Sequence, residues 1–305
     1  MTKCVVVHRK DENNVGDIAS NPLQYFLSPD EYQTVDIIDL YKSQYPGNIP
    51  VIVGGGGLIG NDYLGDAVRD VLSTADKNQL LGLWEERWDL CDPSNFDLHS
   101  EFTNQYKNLI KEYIDKLSTK KPPRFFWGAG YNGEYNKKLR LKFPWPEWLV
   151  EFDKVGVRDY GQDLDWYPCA SCMHPALRKT YPIKNDVIFF EHKKQLIKDF
   201  GDDPIPRFIN SGANIEQTIE LLGSANIILT NSYHGAYWGK LLKKRVIVVG
   251  AWGAKFYAMK HAPTILDKNE TWKEALDRAT VHFESLDECV ERTQEYWETI
   301  KTQIL

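Results

Sequence analysis

The stretch NIILTNSYHGAYWGKLLKKRVIVVG, residues 226–250, decides the fold. Ile227, Ile228 and Leu229 lead into Thr230 and read as a buried strand, too short and too β-branched for a helix. Asn231 and Ser232 follow, two residues suited to capping a helix N-terminus. Residues 233–242 then carry the helix, with His234 in its first turn, and residues 245–249 form the next strand, closed by Gly250. Strand, polar turn, helix and strand at this spacing are one βαβ unit of a parallel sheet. In such sheets ligands collect beyond the carboxyl ends of the strands, so the turn that holds Ser232 and His234 is a place for chemistry.

The same unit recurs outward from this segment. Residues 3–9 form a β-branched run that enters the polar stretch 11–16, with a helix expected over 17–27. Strands are expected over 35–40 and 51–53, the second running into Gly54-Gly55-Gly56-Gly57. Apolar residues at helical spacing follow Gly60, and a further helical pattern covers 102–117. Residues 124–127 read as a strand before Gly128-Ala129-Gly130, and 154–157 as a short strand that ends at Arg158. The segment 143–148 reads as an ordered loop. Between 161 and 183 the period disappears, which places a crossover there, and strand 187–190 restarts the alternation. Asn214 is expected to cap a helix with Gln217 three residues on. Ser285 and Glu288 are expected to form a capping box ahead of a C-terminal amphipathic helix. The fold class expected is α/β, with two Rossmann-like domains facing a cleft: residues 1–180 on the acceptor side and 181–305, including that last helix, on the donor side.

Bulk composition agrees with two domains. A chain of 305 residues is about twice the usual ~150 per domain, and 42% hydrophobic content supplies a sizeable core. The net charge of −6 argues against a nucleic-acid binder, which needs a basic face, while leaving room for a local basic pocket. The ten Trp suit a carbohydrate surface or a core equally. No apolar run approaches the ~18 residues of a membrane span, which leaves peripheral membrane association open. With no export signal and an odd count of five Cys, a reducing, cytoplasmic setting is expected. Oligomeric state is not readable.

Several residues stand where chemistry is expected. A helix N-terminus at Ser232, Tyr233 and Gly235 suits a phosphate or carboxylate. At that end His234 is disfavoured as imidazolium until a dianion binds beside it; the alternative is a structural histidine bonded to a carbonyl. Gly55, Gly56 and Gly57 let backbone approach a ligand closely, or make a tight structural turn; they match neither the dinucleotide fingerprint with its downstream acid nor a P-loop. His192 and Lys193 follow a strand end, as does Lys255, and are candidates for a phosphate or else a solvated helix start. Cys169-Ala170-Ser171-Cys172 lies in an irregular, Pro-containing stretch with no second Cys pair, so it reads as a buried loop near the domain junction rather than a zinc or redox site.

The segment 226–250 also resembles the signature region of the polysaccharide pyruvyl transferase family, in which a strand, a Ser-containing turn and a His-Gly pair open a helix. Gly16-Asp17, the glycine run and Val157-Arg158-Asp159 resemble that family in the same order, so the likeness spans about residues 1–260. It implies an architecture resembling the GT-B glycosyltransferases and transfer of pyruvate from phosphoenolpyruvate to glycan hydroxyls as a ketal, in cell-surface or polysaccharide biosynthesis. It implies that Arg158 binds the donor's acidic groups; by their placement at the helix start and strand ends, Ser232, Tyr233, Gly235, His192, Lys193 and Lys255 are further donor-binding candidates, and Gly16, Gly55, Gly56 and Gly57 are candidates for the acceptor side. His234 would be the acid. Asp17 would be the base or orient the acceptor, or simply cap the following helix. Partners would be a small donor and a glycan acceptor; no cofactor or metal is called for. One departure stands out: members with Arg-Leu before His-Gly have a second anion-binding arginine, where this chain has Ser232-Tyr233. A nucleotide-sugar glycosyltransferase, or a non-catalytic glycan- or anion-binding protein, would share the architecture.

Overall fold

The computed structural model describes residues 2–37, 49–59, 123–133, 142–197, 204–212 and 214–305. Eleven strands are assigned among them, and every pairing is parallel. The first sheet holds β1 (Cys4–His8), β2 (Tyr32–Asp36), β3 (Val51–Gly54), β4 (Gly57–Ile59), β5 (Arg124–Tyr131) and β6 (Lys154–Val157). The second holds β7 (Asn185–His192), β8 (Arg207–Asn210), β9 (Ala225–Thr230), β10 (Arg245–Val248) and β11 (Thr264–Ile265). The buried, apolar sequences of β1, β9 and β10 are those of strands covered on both faces.

The second sheet runs β8-β7-β9-β10-β11, the 2-1-3-4-5 order of a doubly wound sheet. The first repeats it. Its order is β2-β1-β3-β5-β6, with β4 continuing the line of β3 along β5: Val51–Gly54 pair with Arg124–Trp127, and Gly57 pairs with Gly130. Each sheet therefore has a switch point between its first and third strands, the place where doubly wound sheets open a crevice.

The glycine run interrupts a strand line instead of opening a helix directly. Gly55 and Gly56 both adopt left-handed φ, 79° and 77°, and return the chain to β5 as β4. A Cβ on Gly55 would strike the Ser20 carbonyl, so the run also lets the first loop pack close. The helices expected after Gly60 and over 102–117 lie outside the described residues. The helix expected over 17–27 is shorter and starts earlier, as α1 (Val15–Ala19), capped by Asn14. Pro22 follows it, and Asn21 turns the chain by accepting from Leu23 N at 3.0 Å, so only a 3-10 turn, Leu23–Tyr25, remains.

In the second half, α2 (Ile215–Gly223) is capped by Asn214, whose Oδ1 accepts from Gln217 N at 2.9 Å. Next come α3 (Tyr233–Leu241), α4 (Trp272–Leu276) and α5 (Ser285–Ile300). The capping box expected at Ser285 is absent. That side chain is buried, and its hydroxyl donates to the Lys240 and His282 carbonyls. A capping box stands instead at Thr271 and Glu274.

Counted by sequence with the second half, α5 spans both sheets. Leu286, Cys289 and Val290 pack with Tyr237 and Leu241, whereas Tyr296, Trp297 and Ile300 pack with Val6, Ile52, Phe125 and Trp127 of the first sheet. The Tyr296 hydroxyl reaches the Phe126 and Lys154 carbonyls, each at 3.0 Å. No helix among the described residues is long and apolar enough to cross a membrane.

Candidate functional site

The two switch points face each other. Between them the described residues leave a cavity of about 240 Å³, walled by the carboxyl ends of β1, β6, β7 and β9 and by the glycine interruption. Five cationic side chains line it, Arg9, Arg158, Lys193, Lys194 and Lys255, against two carboxylates, Asp11 and Asp17. A chain of net charge −6 thus concentrates positive charge in one crevice.

Arg158 leaves the end of β6 almost fully buried, with its guanidinium 3.8 Å from the centre of the Tyr233 ring. A cation held flat on an aromatic face is fixed in direction and keeps its donors for a ligand. Its Nε has no hydrogen-bond partner. The neighbouring Asp159 accepts from Tyr131 N at 2.7 Å; burial pushes its carboxyl up to about 6, against the pull of Arg158. Lys255, beyond the end of β10 in the second sheet, repeats the device. Its Nζ sits 3.5 Å from the Trp252 ring centre and donates to Asn132 Oδ1 at 2.6 Å. Lys193 pairs with Asp11 at 2.6 Å, a contact between the two halves.

His234 stands in the first turn of α3, nearly buried, with its ring 5.0 Å from that of Trp238. Burial, then the Arg158 and Lys255 charges, hold it well below the ordinary histidine range, so the imidazole is neutral before an anion enters. Gly16 lies against the Nδ1 edge of the ring, where any Cβ would collide with it. On the other edge, Cys169 Sγ is 3.6 Å from Nε2. Asp17 is part-buried at the cavity wall. Burial lifts its carboxyl to about 7, Arg9 opposes this and Asp11 adds to it, and Asn14 Nδ2 donates to Oδ2 at 2.9 Å.

Ser232 does cap α3, accepting from Gly235 N at 3.5 Å. Asn210, at the end of β8, donates to Ser232 Oγ and to Asn14 Oδ1, both at 3.2 Å, and so ties the α3 cap to the α1 cap of the other half. His192 lines the cavity beside Trp252, pushed down to about 4 by burial and by Lys255, Lys194 and Lys193.

The structure thus brings Asp17, Gly56, Gly57, Arg158, His192, Lys193, Ser232, Tyr233, His234 and Lys255 to one cavity, with Gly16 on the His234 ring. It does not bring two others. Gly235 packs its Cα against Phe190 and Thr230, and Gly55 against Ser20, so both shape the wall without facing the space. Arg9, Asn14, Asn132, Lys194, Asn210 and Trp252 were missed by reading the sequence. For Arg9 and Lys194 a signal existed, since each follows a strand that the sequence predicts. Cys169 and Cys172 are free and buried. Among the described residues no cluster of three or more His, Cys, Asp or Glu is placed to hold a metal.

No family model matches the chain, and no curated protein matches it. A solved structure from Klebsiella pneumoniae subsp. pneumoniae NTUH-K2044, titled as that of a functional uncharacterized protein, is similar over 81% of this chain and 83% of that one. The identity is 12% and the TM-score 0.37.

Proposed function

We propose that this cavity is the active site of a transferase that moves the pyruvyl group of phosphoenolpyruvate onto two hydroxyls of a sugar as a ketal. The observation that carries the reading is Arg158: buried, stacked on Tyr233, with Nε unpartnered, in a crevice that also collects Lys193, Lys194 and Lys255. A donor with both a phosphate and a carboxylate needs at least two such contacts. Arg158 takes the carboxylate bidentately, while Lys193 and Lys255 take the phosphate with the α3 N-terminus. Ser232 occupies the place where family members with Arg-Leu before His-Gly carry a second arginine, and Tyr233 beside it serves by orienting Arg158. The volume, below the roughly 300–1,000 Å³ of sites for drug-sized ligands, favours a small donor over a nucleotide sugar. Two parallel sheets with facing switch points support reading the architecture as GT-B.

The chemistry follows from the groups present. A proton added to the donor's methylene carbon leaves an oxocarbenium centre at the ether carbon. A sugar oxygen bonds to that carbon and gives up its proton; the C–O bond to phosphate then breaks, and the second hydroxyl closes the ketal. Phosphate departs with the remaining proton. His234 supplies the first proton once the bound dianion has raised its affinity for one, and Asp17, poised near neutrality, accepts from the incoming hydroxyl.

The test is release of inorganic phosphate from phosphoenolpyruvate across a panel of glycan acceptors. Turnover is expected with at least one, and is expected to be lost in His234→Ala with unchanged thermal unfolding. Undiminished turnover in that variant would remove His234 from the mechanism. Turnover of nucleotide sugars and not of phosphoenolpyruvate would overturn the donor assignment.

A further inference from the structure

The Cys169-Ala170-Ser171-Cys172 motif has no part in the chemistry above, yet its first and third residues lie directly behind His234. Three hydrogen bonds run in series there. Trp238 Nε1 to Ser171 Oγ is 3.0 Å, Ser171 Oγ to Cys169 Sγ is 3.2 Å, and Cys169 Sγ to His234 Nε2 is 3.6 Å. Cys169, Ser171 and Trp238 are all buried.

The direction of the series is fixed at its far end. An indole N–H only donates, so Ser171 Oγ accepts from Trp238. The serine hydrogen then has Cys169 Sγ as its one partner in the series. Burial holds the Cys169 thiol above its ordinary range, so it keeps a hydrogen. With Ser171 donating to the sulfur, the acceptor left for that S–H is His234 Nε2.

We infer that Cys169 is a positioning residue that holds the neutral imidazole of His234 in the Nδ1–H tautomer, so that a donor, not a lone pair, is presented on the edge beside Gly16. The nitrogen bonded by the supporting group accepts, and the proton sits on the other one. Seen this way, the motif is the far end of a relay anchored on α3 itself, since Trp238 stands one turn beyond His234. The consequence for catalysis rests on the pyruvyl-transfer reading; the tautomer does not.

The experiment is the histidine side-chain 15N spectrum of the full-length protein without ligand, with His234 identified by the signal that His234→Gln removes. Wild type is expected to show Nδ1 protonated and Nε2 bare. Cys169→Ser keeps an O–H donor behind the ring and is expected to retain that pattern. Cys169→Ala is expected to shift the signal wholly or partly to the Nε2–H form, and Ser171→Ala, which leaves Cys169 in place, provides the same test if the first variant does not fold. A wild-type ring protonated on Nε2, or Cys169→Ala and Ser171→Ala spectra identical to wild type, would overturn the inference. If the tautomer is as stated and phosphoenolpyruvate does not bind, the functional reading fails alone.

Discussion

Asp17 lies in a cavity lined by five cationic side chains, and burial has raised its carboxyl to about 7. When it ionises, the site gains a negative charge, so affinity for a phosphate-bearing ligand is expected to fall as pH rises through 7. By linkage the bound anion raises the Asp17 pKa further. Calorimetric dissociation constants for phosphoenolpyruvate between pH 6 and 8.5 check this, and Asp17→Asn is expected to flatten the trend. A slope unchanged in that variant would assign the titration to another group. Gly16 makes a sharper test. A methyl there cannot coexist with the His234 ring as placed, so Gly16→Ala is expected to cost roughly 1–3 kcal/mol in unfolding and, if His234 acts as proposed, to lower kcat roughly 100-fold. At this scale the sequence was partly legible. Helix-start and strand-end residues such as Ser232, His234 and Arg158 could be picked out because their surroundings are local. Asn14, Asn132 and Asn210 could not, because Asn14 and Asn210 meet across 196 positions, and Asn132 meets Lys255 across 123.

Among the elements, β7 and β8 show how a wall of the cavity is stabilised from behind. Glu191 is buried beside His192 and accepts from Arg207 Nε at 2.8 Å and Nη2 at 2.6 Å, and from Ile197 N at 2.9 Å. Arg207→Ala leaves that carboxylate buried without its counter-charge. A loss of roughly 1–3 kcal/mol in urea unfolding is expected, discounted because the arginine is part-exposed. Loss below a few tenths would show that water replaces the guanidinium. The longer strands were readable from their apolar runs, and α2 and α3 from Asn214 and Ser232; β4, β8 and β11 were not expected, and β2 lies earlier than the 35–40 run. The failures have local causes: Pro22 stops the first helix, and a buried Ser285 spends its hydroxyl on carbonyls rather than on a cap. The position of α5 had no local signal, because an amphipathic stripe says that a face is buried without saying against which sheet.

For the whole molecule, two sheets of the same strand order place their switch points against one another, and α5 fastens both. Alternation of strands and helices announced the parallel sheets, but strand order and the continuation of β3 as β4 depend on pairings far apart in the chain. The halves touch at the cavity through Lys193 with Asp11 and Asn210 with Asn14, so a ligand there bears on both at once. The account stands or falls on a small dianion occupying that space and being held by Arg158. The direct measurement is a calorimetric titration of the full chain with phosphoenolpyruvate, repeated with Arg158→Ala. One site per chain, with affinity lowered at least about tenfold in the variant, is the expected result. Equal affinity in both proteins, or no heat with phosphoenolpyruvate alongside saturable binding of a nucleotide sugar, would contradict it.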